Sequence, residues 1–212
     1  MKQSLPVIEA HDFEIADFVA GDPALDFVNT VTARDATPRD WLDGYSRLLD
    51  WAGHAGLLPD KTLRTLARRA KADPAAARKA LARAKALREA LYDILEALVW
   101  NRVPAADSLA LLRKHWLAGA SAHHFHFDEG RLARHVPGDT ADLDLVAAIV
   151  AWRMIEHVMP MPSERLRLCA GPECSWLFVD RSKSGRRRWC DMAVCGNAAK
   201  SRRHYARERA RA

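Results

Sequence analysis

Leu168-Cys169-Ala170-Gly171-Pro172-Glu173-Cys174-Ser175-Trp176-Leu177-Phe178-Val179-Asp180, followed after the basic turn Arg181 to Arg188 by Trp189-Cys190-Asp191-Met192-Ala193-Val194-Cys195-Gly196-Asn197, contains every cysteine of the 212-residue chain. Cys169 and Cys174 enclose four residues, Cys190 and Cys195 enclose four more, and fifteen separate the pairs. Each short loop can turn two sulfurs toward one point, and a hairpin-sized spacer can bring the second pair back to the first. That is the layout of a four-thiolate metal site. A tetrahedral all-sulfur set selects zinc, or less often iron. The competing readings are two disulfides or four unrelated thiols. Disulfides fit poorly here, because Met1 to Asp12 carries Glu9 and Asp12 and shows no apolar export segment. Four thiolates fill zinc's shell and leave no position for water, so the ion is expected to be structural. It is also expected to fold a module that buries too little apolar surface alone, while the chain before it stands by itself.

The charge is divided in the same way. The net +6 splits into +8 for residues 160–212 and −2 for the rest. A nearly neutral body with a basic end suggests a polyanion-binding appendage on an independent scaffold. With 49% hydrophobic and 28% charged residues the chain is an ordinary globular one. No apolar run approaches the roughly 20 residues that cross a bilayer, so no membrane role and a cytoplasmic address are expected.

The residues before the cysteines read as helices. Asp22 is an N-cap and Pro23 a first helical residue, opening a helix with Leu25, Phe27, Val28 and Val31. Pro38 should open a second, carrying Trp41, Tyr45, Leu48, Leu49 and Trp51 up to Gly53 and Gly56. A third starts near Pro59. Pro74 begins a long fourth with a Leu87, Leu91, Ile94, Leu95, Leu98 stripe, and a fifth follows Pro104. His124-Phe125-His126-Phe127 alternates, Asp128-Glu129-Gly130 reads as a turn, and Arg131 to Val136 can return as a second strand. His123, His124 and His126 invite a metal reading, but in an alternating strand His124 and His126 share the wet face, and no nearby cysteine supports an ion there. Asp142 to Val158 is apolar almost all round, the mark of a central helix, and Pro160 and Pro162 end it.

No reaction centre is visible. The chain has no Gly-rich phosphate loop, no G-x-S-x-G and no H-E-x-x-H, so it is read as a non-enzyme. Asp22 and Asp26 lie one helical turn apart, but Asp22 reads as a cap and Asp26 as its exposed or capping neighbour. Five tryptophans (Trp41, Trp51, Trp100, Trp116, Trp152) read as an aromatic-rich core.

The two cysteine spacings, Trp176-Leu177-Phe178, Arg188-Trp189-Cys190 and Cys195-Gly196-Asn197 resemble the C-terminal finger of bacterial CGNR zinc-finger proteins, over roughly residues 165–209. Asp26-Phe27-Val28-Asn29-Thr30, Trp51-Ala52-Gly53 and Gly56-Leu57-Leu58 look like the helical ABATE region that precedes such fingers. The resemblance implies a transcription regulator that holds zinc through Cys169, Cys174, Cys190 and Cys195 and binds DNA through its basic finger. The family's fourth motif residue, arginine, is Ala198 here.

The expected architecture is mainly α: a helical bundle with a short β-hairpin over 15–159, then a treble-clef-like zinc finger over 165–209. Within the finger, Trp176-Leu177-Phe178 should pair with Arg188-Trp189 around Gly185, and a helix should run from Asp191 toward Arg209. At about 100° per residue, Cys195, Ala198, Ala199, Arg202 and Ala206 share the metal side, while Lys200, Arg203, His204, Arg207 and Arg211 form the opposite, cationic stripe. Arg186, Arg187 and Arg188 add a second basic cluster. These residues suit phosphates, or guanine edges in a major groove. The expected function is zinc-dependent, DNA-binding transcriptional regulation, with a bundle that senses a small molecule or forms a homodimer. The other reading is a zinc-stabilised module for a protein or RNA partner.

Overall fold

Asp22 caps the first helix as its chemistry dictates: its carboxylate accepts from the Ala24 N–H at 2.9 Å, and Pro23 occupies the first turn. The computed structural model describes residues 6–171 and 173–209, with the side chains of residues 203–207 outside that description. Helix α1 (Pro23–Val28) is shorter than its apolar pattern suggests. Thr30 folds its hydroxyl back onto the Phe27 carbonyl at 2.8 Å, and the β-branched pair after it becomes strand β2 (Val31–Thr32).

Pro38 does not open a helix. Strand β3 (Arg39–Asp40) lies between β1 (Val7–Ile8), which it pairs in parallel, and β2, which it pairs antiparallel. Helix α2 (Tyr45–His54) starts only after Gly44. The reason is Asp40. Its carboxylate accepts from the Leu42 N–H at 3.0 Å and from both Nη atoms of Arg88, at 2.7 and 2.8 Å, with Lys85 Nζ at 2.8 Å. A side chain gripped this way holds its segment extended.

Helices α3 (Asp60–Ala72) and α4 (Pro74–Val99) meet at Asp73, which ends the first and caps the second through the Ala76 N–H. Helix α5 (Ala106–Ala122) follows Pro104 as expected. Strands β4 (His124–Asp128) and β5 (Arg131–His135) form the anticipated hairpin, with Asp128 opposite Arg131. Helix α6 (Leu145–Arg153) is buried at every position from Leu145 to Trp152 and continues as a π-helical turn over Met154–Val158. It crosses α5 so closely that a Cβ on Gly119 would stand 2.8 Å from the Trp152 Cβ.

After the bundle come β6 (Leu166–Leu168), β7 (Leu177–Val179), a π-helical turn at Met192–Gly196 and α7 (Asn197–Arg209). The finger hairpin is therefore not the expected one. Strand β7 pairs antiparallel with β6, Leu166 opposite Val179, and the Arg188 carbonyl instead accepts from the Ala170 N–H. The fold is mainly α, and one apolar cluster runs through α1, α2, α4 and α6 into Trp176, Leu177, Phe178 and Val179.

Arg88, in the middle of the apolar α4, is 1% exposed. Burial pushes the Asp40 carboxyl up, but the hydrogen bonds and charge of Arg88, with Lys85 and the Leu42 N–H, outweigh it and hold the pKa at about 2. Removing one member of such a pair leaves a buried charge. Arg88→Met is expected to cost about 3 kcal/mol in urea unfolding, and adding Asp40→Asn should recover much of that loss.

Candidate metal centre

The tip of the β6–β7 hairpin is the knuckle from Cys169 to Cys174. The Cys169 N–H bonds the Trp176 carbonyl at 2.8 Å, and the Cys174 N–H bonds the Gly171 carbonyl at 3.3 Å. Cys190 ends the basic turn, and Cys195 sits in the first turn of the terminal helix, which Asp191 caps by accepting from the Val194 N–H. Two ligands from a knuckle and a helix start bringing in the last one is the treble-clef-like arrangement.

All four Sγ atoms lie within 4.8 Å of one another. Cys174 to Cys190 and Cys190 to Cys195 are each 3.7 Å. Sulfurs at about 2.3 Å from a tetrahedral zinc stand about 3.8 Å apart, so the set already has the edge length the ion requires. A disulfide would need about 2.05 Å, and all four are free thiols. The N–H groups of Gly171 and Cys190 point at Cys169 Sγ, each at 3.3 Å. Hydrogen bonds from Cys174 and Cys190 pull the Cys169 thiol down, and that thiolate pushes Cys174 and Cys190 up. A dication is what allows all four to ionise together. The thiols thus hold one structural zinc. Gly171 is required beside it, since a Cβ there would come 3.0 Å from Cys195 Sγ and 3.2 Å from Cys169 Sγ.

The knuckle is anchored by residues far away in sequence. Asn29 Nδ2 donates to the Leu177 carbonyl and Asn29 Oδ1 accepts from the Leu177 N–H, both at 2.9 Å and both buried. The Val179 N–H bonds the Ala20 carbonyl at 2.8 Å. Glu173 (φ +59°) and Ser175 (φ +57°) flank Cys174 in the left-handed region that disfavours side chains. That corner is held by the Ala33 N–H on the Cys174 carbonyl and by the Ser175 hydroxyl on Asp35 Oδ1. Nothing in the cysteine spacing signals Asn29, Ala33 or Asp35 as partners. Buried residues of the finger and of the body thus belong to one apolar cluster.

Asp26 is neither exposed nor a cap of α1, the two roles expected of it. It is 6% exposed and accepts from the Ala20 N–H at 3.0 Å, propping the residue that pairs with β7. Desolvation, with Asp22 and Asp17 nearby, pushes its pKa to about 7. Asp22 bonds Arg153 Nη2 at 2.9 Å.

Of the basic residues, Arg186, Arg188 and Lys200 are exposed, as is Arg202, which the helical wheel had set on the metal side. Arg187 is half-buried: its N–H bonds Asp180 Oδ2, and its guanidinium lies over the Phe178 ring and on the Cys190 carbonyl. Arg203, His204 and Arg207 lie on α7 with side chains outside the description, and Arg211 lies outside the described residues. Beside the thiols a cleft of about 340 Å³ opens between finger and body, lined by Asp17, Trp41, Trp176, Asp191 and Ala198 among others.

Two family models match the chain. One, described as "CGNR zinc finger", covers residues 165–208. The other, ABATE, described as "Putative stress-induced transcription regulator", covers residues 21–159. No curated protein matches.

Asn29→Ala leaves both polar groups of Leu177 buried without partners and is expected to cost roughly 2–4 kcal/mol, with faster zinc release to a chromogenic chelator. Because the core is shared, stripping the zinc should lower the melting temperature of the helical signal as well, which far-UV circular dichroism can follow. Asp26 has a folded pKa above its unfolded value, so its contribution is full below about pH 4 and lost as pH rises toward 7. Asp26→Asn should therefore gain stability over the native chain across that window, by an amount of order 2 kcal/mol at pH 8.

Proposed function

We propose that this chain, which belongs to the ABATE family and carries a CGNR zinc finger, regulates transcription by binding duplex DNA through the finger's basic face. The observation that carries this reading is the rigid link between two cationic segments. Cys190 closes the turn that exposes Arg186 and Arg188, and Cys195 starts the helix that exposes Lys200 and Arg202. One zinc therefore fixes both sets of charges relative to each other. The turn has further internal support: Asp180 Oδ1 accepts from the Ser182 N–H, and Arg165 and Arg167 donate to the carbonyls of Ser182 and Gly185. Arg187 serves that scaffold, and its neighbours face solvent. Arg203, His204, Arg207 and Arg211 extend the α7 stripe in sequence and complete the proposed contact set.

Exposed guanidinium and ammonium groups at fixed spacing suit phosphate contacts, and a helix presented beside them suits a groove. The body's role in this reading is sensing. The cleft between Trp41, Trp176 and the thiols touches both halves, so a small effector seated there would be felt by finger and bundle together. Both matched families are regulatory or zinc-finger families, and neither is enzymatic.

Binding of zinc-loaded protein to labelled duplex should weaken with salt along a log–log slope of about −0.9 per phosphate engaged. Replacing Arg186, Arg188 and Lys200 by Glu should abolish the shift while zinc content and helicity stay unchanged. A curve insensitive to salt would overturn the reading, and preference for RNA over duplex would redirect it.

A further inference from the structure

We propose that the β4–β5 hairpin carries a second metal site, taking a divalent transition ion such as Ni²⁺, Cu²⁺ or Zn²⁺ through the imidazoles of His126 and His135, with His124 beside them. Side chains alternate across a strand, so His124 and His126 share one face. The register sets His124 opposite His135 and His126 opposite Ala133, which brings His135 onto that same face and leaves a small residue across from His126. His123 belongs to the other face and is already tied, its Nδ1 lying 2.7 Å from the Gly119 carbonyl.

The two imidazoles already touch through a hydrogen bond, and their nitrogens stand close to the separation one ion would set. His126 Nδ1 and His135 Nδ1 are 3.1 Å apart. Two imidazole nitrogens bound at about 2.0–2.1 Å to one tetrahedral ion stand about 3.3 Å apart. The ring centroids of His126 and His135 are 4.9 Å apart and those of His124 and His135 6.1 Å, so the pair is the core of the proposed site and His124 stands one ring further off. The pair is set in advance by the backbone: Glu129 (φ +45°) and Gly130 (φ +79°) form a two-residue turn whose twist fixes the register. All three imidazoles are exposed, so an ion reaches them without any opening of the fold, and water can fill its remaining positions. An all-nitrogen set suits nickel, copper and zinc, whereas the closed four-thiolate site is a different chemical environment. Asp128 and Arg131 occupy the turn end of the same face.

The test is calorimetric titration of Ni²⁺ into the zinc-loaded full chain, with released zinc measured in parallel. One equivalent of Ni²⁺ should bind with no zinc released. His126→Ala and His135→Ala should each weaken it by at least about tenfold, a loss of about 1.4 kcal/mol, and His124→Ala should weaken it less. Far-UV circular dichroism confirms that each variant is folded. Uptake matched by released zinc, uptake unchanged in the His126→Ala/His135→Ala double variant, or no uptake at all would each overturn the proposal.

Discussion

The side-chain amide of Asn29, closed on both backbone groups of Leu177, is the contact on which the placement of the finger against the helices depends. Strand β7 has β6 on one edge, and among the described residues no strand pairs with its other edge. An amide side chain carries one donor group and one acceptor, the same pair a peptide presents, so Asn29 stands in for the missing strand. With Leu177 and Phe178 fully buried, water cannot take over that role. Once β7 is fixed, the hairpin tip is fixed with it, and the tip carries half of the zinc ligands.

The metal centre consequently belongs to two regions at once. The sulfurs come from residues 169–195, but the left-handed corner around Cys174 is stabilised by Ala33 and Asp35, from the loop after β2. Backbone in that conformation costs of order 1–3 kcal/mol at each residue, and it persists where its surroundings over-determine it. Zinc and the body loop supply that constraint together. The ion then sets the spacing between the basic turn and α7, which neither segment could establish alone.

Where the sequence pattern misled, a buried polar group had outcompeted it. The Pro38 segment has helical spacing in Trp41, Tyr45 and Leu48, yet Asp40 is claimed by Arg88, 48 residues away, and the segment stays extended. Asp26 looked like a surface acid at a helix start, yet the Ala20 backbone folds over it. In the finger, Gly185 marks the basic turn as a hairpin bend, yet β7 pairs with Leu166–Leu168, a stretch with no comparable turn signal beside it. Arg88 lies beside Leu87 on α4, and its partner Asp40 is invisible without the fold.

The sequence by itself determined the helices that begin at Pro23, just after Pro59, at Pro74 and after Pro104, the β4–β5 hairpin and the identity of the four thiolate ligands. These depend on caps, on residues with fixed φ and on short spacings, all of which act over a few neighbouring residues. The tertiary structure alone decided that the finger shares a core with the bundle and that Asn29 completes its sheet. Those pairings join residues whose separation along the chain is set by the path of the backbone, and desolvation rather than local propensity selects them.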